Sequence, residues 1–228
     1  MALRKIKNQA IIAAVIASSV ALSACTNKET KDLKKFLEME KFEKASDLYE
    51  KSGEKIKYDN IVGDLETSAN DVYEQYMDDD MSYEKATANL EFLLSMAEDD
   101  LEKNIQEKKD TIEKIQTSRE NFAKGQSLYD SELYLDAIAC YDLVVEEDTK
   151  NFSEAKTKKA LALDEYKLQV ETNANSYAYN RGYSYAINYV REEAKNLDDA
   201  KAFDTLIAEL QGKYKLDVIE RADDYASN

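Results

Sequence analysis

The sequence predicts an all-α protein assembled from repeated helical hairpins, and three observations carry that prediction. The 228 residues include no proline and only five glycines, so few breaks are enforced and helices can run long. Apolar residues recur at steps of three and four, with no sustained alternation of period two that would mark a strand. The chain also repeats itself: EYKLQVETNANSYA at 165–178 and KYKLDVIERADDYA at 213–226 agree at half of their 14 positions, at a constant offset of 48.

The N-terminal 24 residues read differently from the rest. Arg4, Lys5 and Lys7 form a basic start, and Ala10 to Leu22 is an uncharged run of 13 residues. That is too short for a transmembrane helix, which needs about 20 apolar residues, but it suits the core of a secretory signal. Residues 22–25, Leu-Ser-Ala-Cys, resemble the bacterial lipobox at all four positions. The resemblance implies removal of residues 1–24, acylation (palmitate included) of the Cys25 thiol, and a mature chain beginning at Cys25. An uncleaved anchor helix with an incidental cysteine is the alternative. Residues 25–32 are then expected to form a short lipidated tether, holding the folded part close to the outer face of a bacterial cell membrane.

Cleavage would remove three of the 31 basic residues and none of the 47 acidic ones. The mature side chains keep 28 basic against 47 acidic residues, a balance of −19. Such a charge argues against DNA or RNA as a partner, because neutralising phosphates needs clustered lysine and arginine. It also argues against electrostatic adhesion to anionic lipid, which leaves the acyl chains at Cys25 as the anchor. Cys140 is the second cysteine of the chain. In its apolar surroundings, AIACYDLVV, a buried small hydrophobe is favoured over a reactive thiol.

From residue 33 the apolar spacing marks helices: Phe152, Ala155, Ala162, Tyr166, Val170, Ala174 and Tyr177 form one stripe, and Leu206, Leu210, Tyr214, Val218, Ala222 and Tyr225 another. Asn151 with Glu154, and Asn196 with Asp199, read as capped helix starts. Gly182 and the run Asp78-Asp79-Asp80 read as turns. Hairpins are expected around 33–52, 64–98, 101–147 and 152–195, followed by terminal helices over 197–226. The opening repeat extends to an aromatic residue followed three positions later by alanine: Phe42/Ala45, Tyr83/Ala86, Tyr134/Ala137 and Tyr183/Ala186. Leu33, Gly125 and Ala174 lie 12 residues before three of these alanines. An alanine and an aromatic on one helix face let two backbones approach while the ring covers the crossing. Repeated hairpins of this kind are solenoid units.

At these residues the chain resembles the tetratricopeptide repeat. Gly125, Leu128, Tyr134, Ala137 and Tyr141 fall at that spacing, as do Phe36, Phe42, Ala45 and Tyr49. The similarity is weaker around Met77, Ala86 and Leu90, and around Ala174, Tyr177, Ala186 and Val190. The resemblance implies a right-handed solenoid of antiparallel hairpins. The period here is 41 to 51 residues rather than the family's ~34, and the proline that usually ends the second helix is missing. Elongated first helices are therefore expected, roughly over 101–130 and 152–181. A non-repeating antiparallel bundle is the alternative. The incomplete last copy reads either as a capping helix or as the start of a chain that continues.

Catalytic chemistry is harder to find. Without histidine there is no Ser-His-Asp triad, no Cys-His pair and no HExxH zinc helix. The five glycines are too scattered for a phosphate-binding loop, and the aspartate run at 78–80 lacks the ligand spacing of a calcium loop. No cofactor, metal or enzyme activity is expected. One stretch, SYAYNRGYSYAINY, places Tyr179, Arg181, Tyr185 and Tyr189 on a candidate binding surface, since exposed tyrosines favour recognition. Their packing on a neighbouring hairpin is the alternative. Two functions follow: a membrane-anchored interaction scaffold for an envelope protein or peptide, and an extracytoplasmic binder of glycans or peptidoglycan fragments. A third possibility is that the chain is the stalk of a longer protein.

Overall fold

A computed structural model describes residues 27–197, 199 and 201–227. The signal segment and Cys25 lie outside the described residues. Within them the chain is helical, with no strand: α1 (Lys28–Glu38), α2 (Phe42–Ser52), α3 (Val62–Met77), α4 (Tyr83–Leu94), α5 (Asp99–Asp130), α6 (Tyr134–Asp142), α7 (Phe152–Arg181), α8 (Tyr183–Ala194) and α9 (Asp204–Ser227). Two single-turn 3₁₀ segments, Gly53–Lys55 and Tyr58–Asn60, join α2 to α3. The helices divide into two compact units, one ending at Lys114 and the other beginning at Ile115, with α5 contributing to both.

Residues 28–32, expected to be tether, are instead the first turn and more of α1. Asn27 starts that helix: its side-chain oxygen accepts the N–H of Thr30 at 2.9 Å, and Thr30 is buried. An asparagine in this position satisfies a donor that the first helical turn cannot. The expected end-of-chain helices from 197 also differ. The segment 201–203 is turn, and one helix begins at Asp204. Asp199 uses its carboxylate on the N–H of Lys201, two residues on, which closes a local turn in place of a helix start at Asn196.

The first unit holds α1 to α4 and the beginning of α5. α1 packs on α2 and α3 on α4; α1 also packs on α3, and α2 on α4. Its core includes Leu33, Leu37, Phe42, Ala45, Ile61 and Leu65, all nearly inaccessible to solvent. In the second unit the end of α5 packs on α6 through Phe122 and Tyr141, whose rings lie 6.0 Å apart. α6 and α8 both pack on α7, and α9 on α8. Tyr166, Val170 and Ala174 of α7 meet Ala186, Ile187 and Val190 of α8, with Phe203 and Leu210 closing the cluster.

The four aromatic–alanine pairs occupy one position in their helices. Phe42, Tyr83, Tyr134 and Tyr183 are each the first residue of a helix. Ala45, Ala86, Ala137 and Ala186 each donate their N–H to the carbonyl just before the helix, at 3.0, 2.9, 3.0 and 3.3 Å. All four alanines are wholly buried, as are Leu33 and Ala174. Gly125 is buried as well, and a Cβ there would meet the ring of Tyr141.

Three of the turns preceding these pairs share a hydrogen-bond pattern. Lys41 N–H reaches Phe36 O at 2.8 Å, Asp80 reaches Gln75 at 2.8 Å and Leu133 reaches Leu128 at 3.0 Å. One residue earlier, Glu40, Asp79 and Glu132 donate three positions back, and each has a positive φ of 52°, 65° and 61°. This is the Schellman arrangement, which satisfies the last carbonyls of a helix and usually employs glycine. The fourth turn is different: Gly182 alone separates α7 from α8, with φ 94° and ψ 156°, a conformation open in practice to glycine only.

Asn151 does not cap α7 with its side chain as expected. Its amide nitrogen donates to the carboxylate of Asp148, at 3.0 and 3.2 Å. Asp148 is buried, and it also accepts from Ser118 Oγ at 3.0 Å with Arg119 Nε 4.0 Å away; Ser118 Oγ in turn accepts the N–H of Val145 at 3.1 Å. A buried carboxylate needs hydrogen-bond donors, and the asparagine supplies one.

Candidate functional site

The tyrosine-rich stretch spans the junction of α7 and α8. Gly182 reverses the chain so that the last turn of α7 faces the first two turns of α8. Three of the four expected surface residues meet there, around a fifth residue. Tyr177 stands between Tyr185 and Tyr189, with ring centroids 5.2 and 4.9 Å away and both pairs edge-on at 72°. Arg181 lies over Tyr177 at 5.6 Å and over Tyr185 at 4.9 Å, and its guanidinium donates to the Tyr185 hydroxyl at 2.9 Å. Cation–π contact and hydrogen bond together hold this arginine on its own hairpin. Tyr179 is apart from the group and 91% exposed. Tyr183 points elsewhere, its ring 6.5 Å from that of Tyr214 in α9.

Burial pushes the Tyr189 hydroxyl above its usual pKa; Glu193 adds to the rise, and the donation from Asn173 at 3.2 Å opposes it. Tyr166, deeper in the same layer, is raised further, again chiefly by burial. Its hydroxyl donates to Glu193 Oε2 at 2.6 Å, and Asn196 donates to it from 3.4 Å. These are protonated, hydrogen-bonded tyrosines at neutral pH. The cluster offers aromatic edges, one exposed ring in Tyr179 and a cation that is already engaged.

A second feature was not anticipated from sequence. In the first unit a groove of about 840 Å³ runs between α1 and α3, with Asp59 and Asn60 of the connecting turn also in its lining. One wall is a four-residue stripe of α3: Gly63, Thr67, Asp71 and Gln75. Across from it lie Leu37, Glu38 and Glu40, with Glu40 accepting from Gln75 Nε2 at 2.9 Å. The signal was present in the sequence as the polar stripe of α3, but only the apolar stripe is read when a core is sought. A smaller pocket of about 370 Å³ lies in the second unit, where Lys159 is paired with Asp142 across the mouth.

Among the described residues no helix is long and apolar enough to cross a membrane. Cys140 is buried, with its thiol free. No known protein family, curated protein or solved structure matches the chain.

Proposed function

We propose that the chain is an extracytoplasmic bacterial lipoprotein, anchored through Cys25, whose helical-repeat domain serves as a protein–protein interaction scaffold in the cell envelope. The observation that carries the scaffold reading is the open groove between α1 and α3, formed where one hairpin packs on the next. Four wholly buried alanines at one helical position support a tetratricopeptide-like solenoid, which generates grooves of this kind. The anchor reading rests on the basic start, the 13-residue apolar run and the Leu-Ser-Ala-Cys sequence.

Two experiments test the two parts. Cys25→Ala in a bacterial host should abolish palmitate labelling and release the chain from the membrane fraction; unchanged labelling would end the anchor reading. Crosslinking the anchored chain in intact cells should return the same envelope protein reproducibly. A domain that crosslinks to no envelope protein while retaining a small ligand would end the scaffold reading.

Glycan or peptidoglycan binding at Tyr179, Arg181, Tyr185 and Tyr189 has weaker support. A sugar stacks on an open ring face, but Arg181 stands over Tyr177 and Tyr185. Replacement of Tyr185 and Tyr189 by alanine should leave retention on immobilised glycans unchanged under the scaffold reading and abolish it under the glycan one.

A further inference from the structure

We propose that the groove between α1 and α3 seats an extended peptide segment bearing lysine or arginine side chains. This rests on the scaffold reading and names the chemistry of its partner.

Charge is the first reason. Glu38, Glu40, Asp59, Asp64 and Asp71 line the groove, against one cation, Lys34. Lys34 is committed to Asp64 at 2.8 Å. None of the other four carboxylates has an ion-pair partner among the described residues. Desolvation, and then the neighbouring carboxylates Glu74 and Glu40, push the Asp71 carboxyl above its usual range, so an arriving cation relieves existing repulsion.

A second observation is independent of charge. Ser68 lines the groove beside Asp64 and Thr67, is only 7% exposed, and has no hydrogen-bond partner among the described residues. Its hydroxyl oxygen is reached from the groove and is placed to meet a main-chain N–H or C=O entering there. Leu37 and Phe42, both buried, form the apolar part of the lining.

Dimensions fit the same guest. The stripe from Gly63 to Gln75 is ~18 Å long at ~1.5 Å per residue, which matches about five residues of extended chain at ~3.3 Å each. Alternate side chains of such a segment face one wall, ~6.6 Å apart, close to the ~6 Å between positions four apart on α3. Among the described residues no three side chains form a metal-ligand set. The carboxylates come from α1, the turn after it, the Tyr58–Asn60 turn and α3, and suit separate cations on one backbone. Nucleic acid would be repelled.

The test uses the full chain in detergent and a dye-labelled peptide of alternating lysine and alanine, with its glutamate–alanine counterpart as control. Fluorescence anisotropy should show binding of the lysine peptide alone. Neutralising the groove with Glu40→Gln and Asp71→Asn should weaken it about fivefold, on the scale of two exposed ion pairs lost. The same loss of charge on α9, with Glu220→Gln and Asp223→Asn, should change it less than about twofold, since exposed distant charges are screened. Ser68→Ala should also weaken binding with the helical circular dichroism unchanged. Equal weakening by the two charge-neutralising pairs, no binding, or displacement by an equivalent concentration of spermine would each overturn the proposal. Envelope proteins crosslinked equally to the wild-type chain and the groove variant would overturn it too, while leaving the scaffold reading intact.

Discussion

A Cβ on Gly125 would sit 2.7 Å from Cε1 of Tyr141. The tyrosine cannot retreat, because it is buried against Phe122 with the rings 6.0 Å apart. The glycine therefore sets how closely α5 and α6 approach. Gly125→Ala gains about 1 kcal/mol of helix propensity but meets an overpacking cost of about 1–3 kcal/mol. We expect net destabilisation, seen as a lower urea midpoint. In a Tyr141→Leu background the clash is gone, and the same substitution should stabilise. An unchanged sign in the two backgrounds would refute the contact.

Glu132 holds a left-handed conformation, φ 61°, to complete its turn. A residue with a Cβ pays about 1 kcal/mol or more there, and glycine does not. Glu132→Gly should raise stability by about 0.5–1 kcal/mol despite its more flexible unfolded chain. Chemical denaturation measures this; a loss of stability would show that the side chain matters more than the backbone.

Asp148 ties the 143–151 connection to α5 through Ser118 and Arg119, and also holds Asn151 just before α7. Ser118→Ala removes one of its donors and leaves the N–H of Val145 without its acceptor. The expected cost is about 1–3 kcal/mol, and more for Asp148→Ala, which strands several donors together. Thermal unfolding of the two variants should rank them in that order.

Tyr49, Tyr134, Tyr141, Tyr166 and Tyr189 are all held above their usual pKa, chiefly by burial. The folded chain thus keeps protons that the unfolded chain loses from about pH 10 upward. Stability is complete below that pH and should fall as pH rises beyond it. Tyrosinate absorbance should lag in the folded protein and jump at unfolding. Tyr166→Phe should flatten the alkaline decline, and an unaltered slope would exclude Tyr166 as a contributor.

The sequence carries local information well and distant information poorly, as individual residues show. Ala45, Ala86, Ala137 and Ala186 were legible because an aromatic three residues earlier marks a shared face, and all four are buried. The long helices α5 and α7 follow from the lack of proline and the placing of glycine. The helix start at Asn151 is legible, but the use of its side chain on Asp148 instead of as a cap is not, because Asp148 bonds Ser118, 30 residues away, which no cap pattern contains. The start expected at Asn196 failed to a turn closed by Asp199. The turn at Asp78-Asp79-Asp80 is legible from its polar run, but the Schellman form of the three turns is not, because Glu40, Asp79 and Glu132 stand where glycine is the usual marker. The stripe on α9 is legible, but its Tyr214, Val218 and Tyr225 remain exposed: periodicity tells that a face is apolar, and not what covers it. Of the tyrosine surface, Tyr185 and Tyr189 could be placed together from their spacing of four; that Tyr177 would sit between them required the reversal at Gly182.

That reversal leaves no slack in the chain. With one residue between two helices, and that residue in a conformation reserved for glycine, the α7–α8 junction has no room for added or deleted length. The wider connections at 53–61 and 143–151 are where a reporter or an affinity tag can be spliced in. Natural variants of this protein should differ in size at those places and keep the corner at Gly182 fixed.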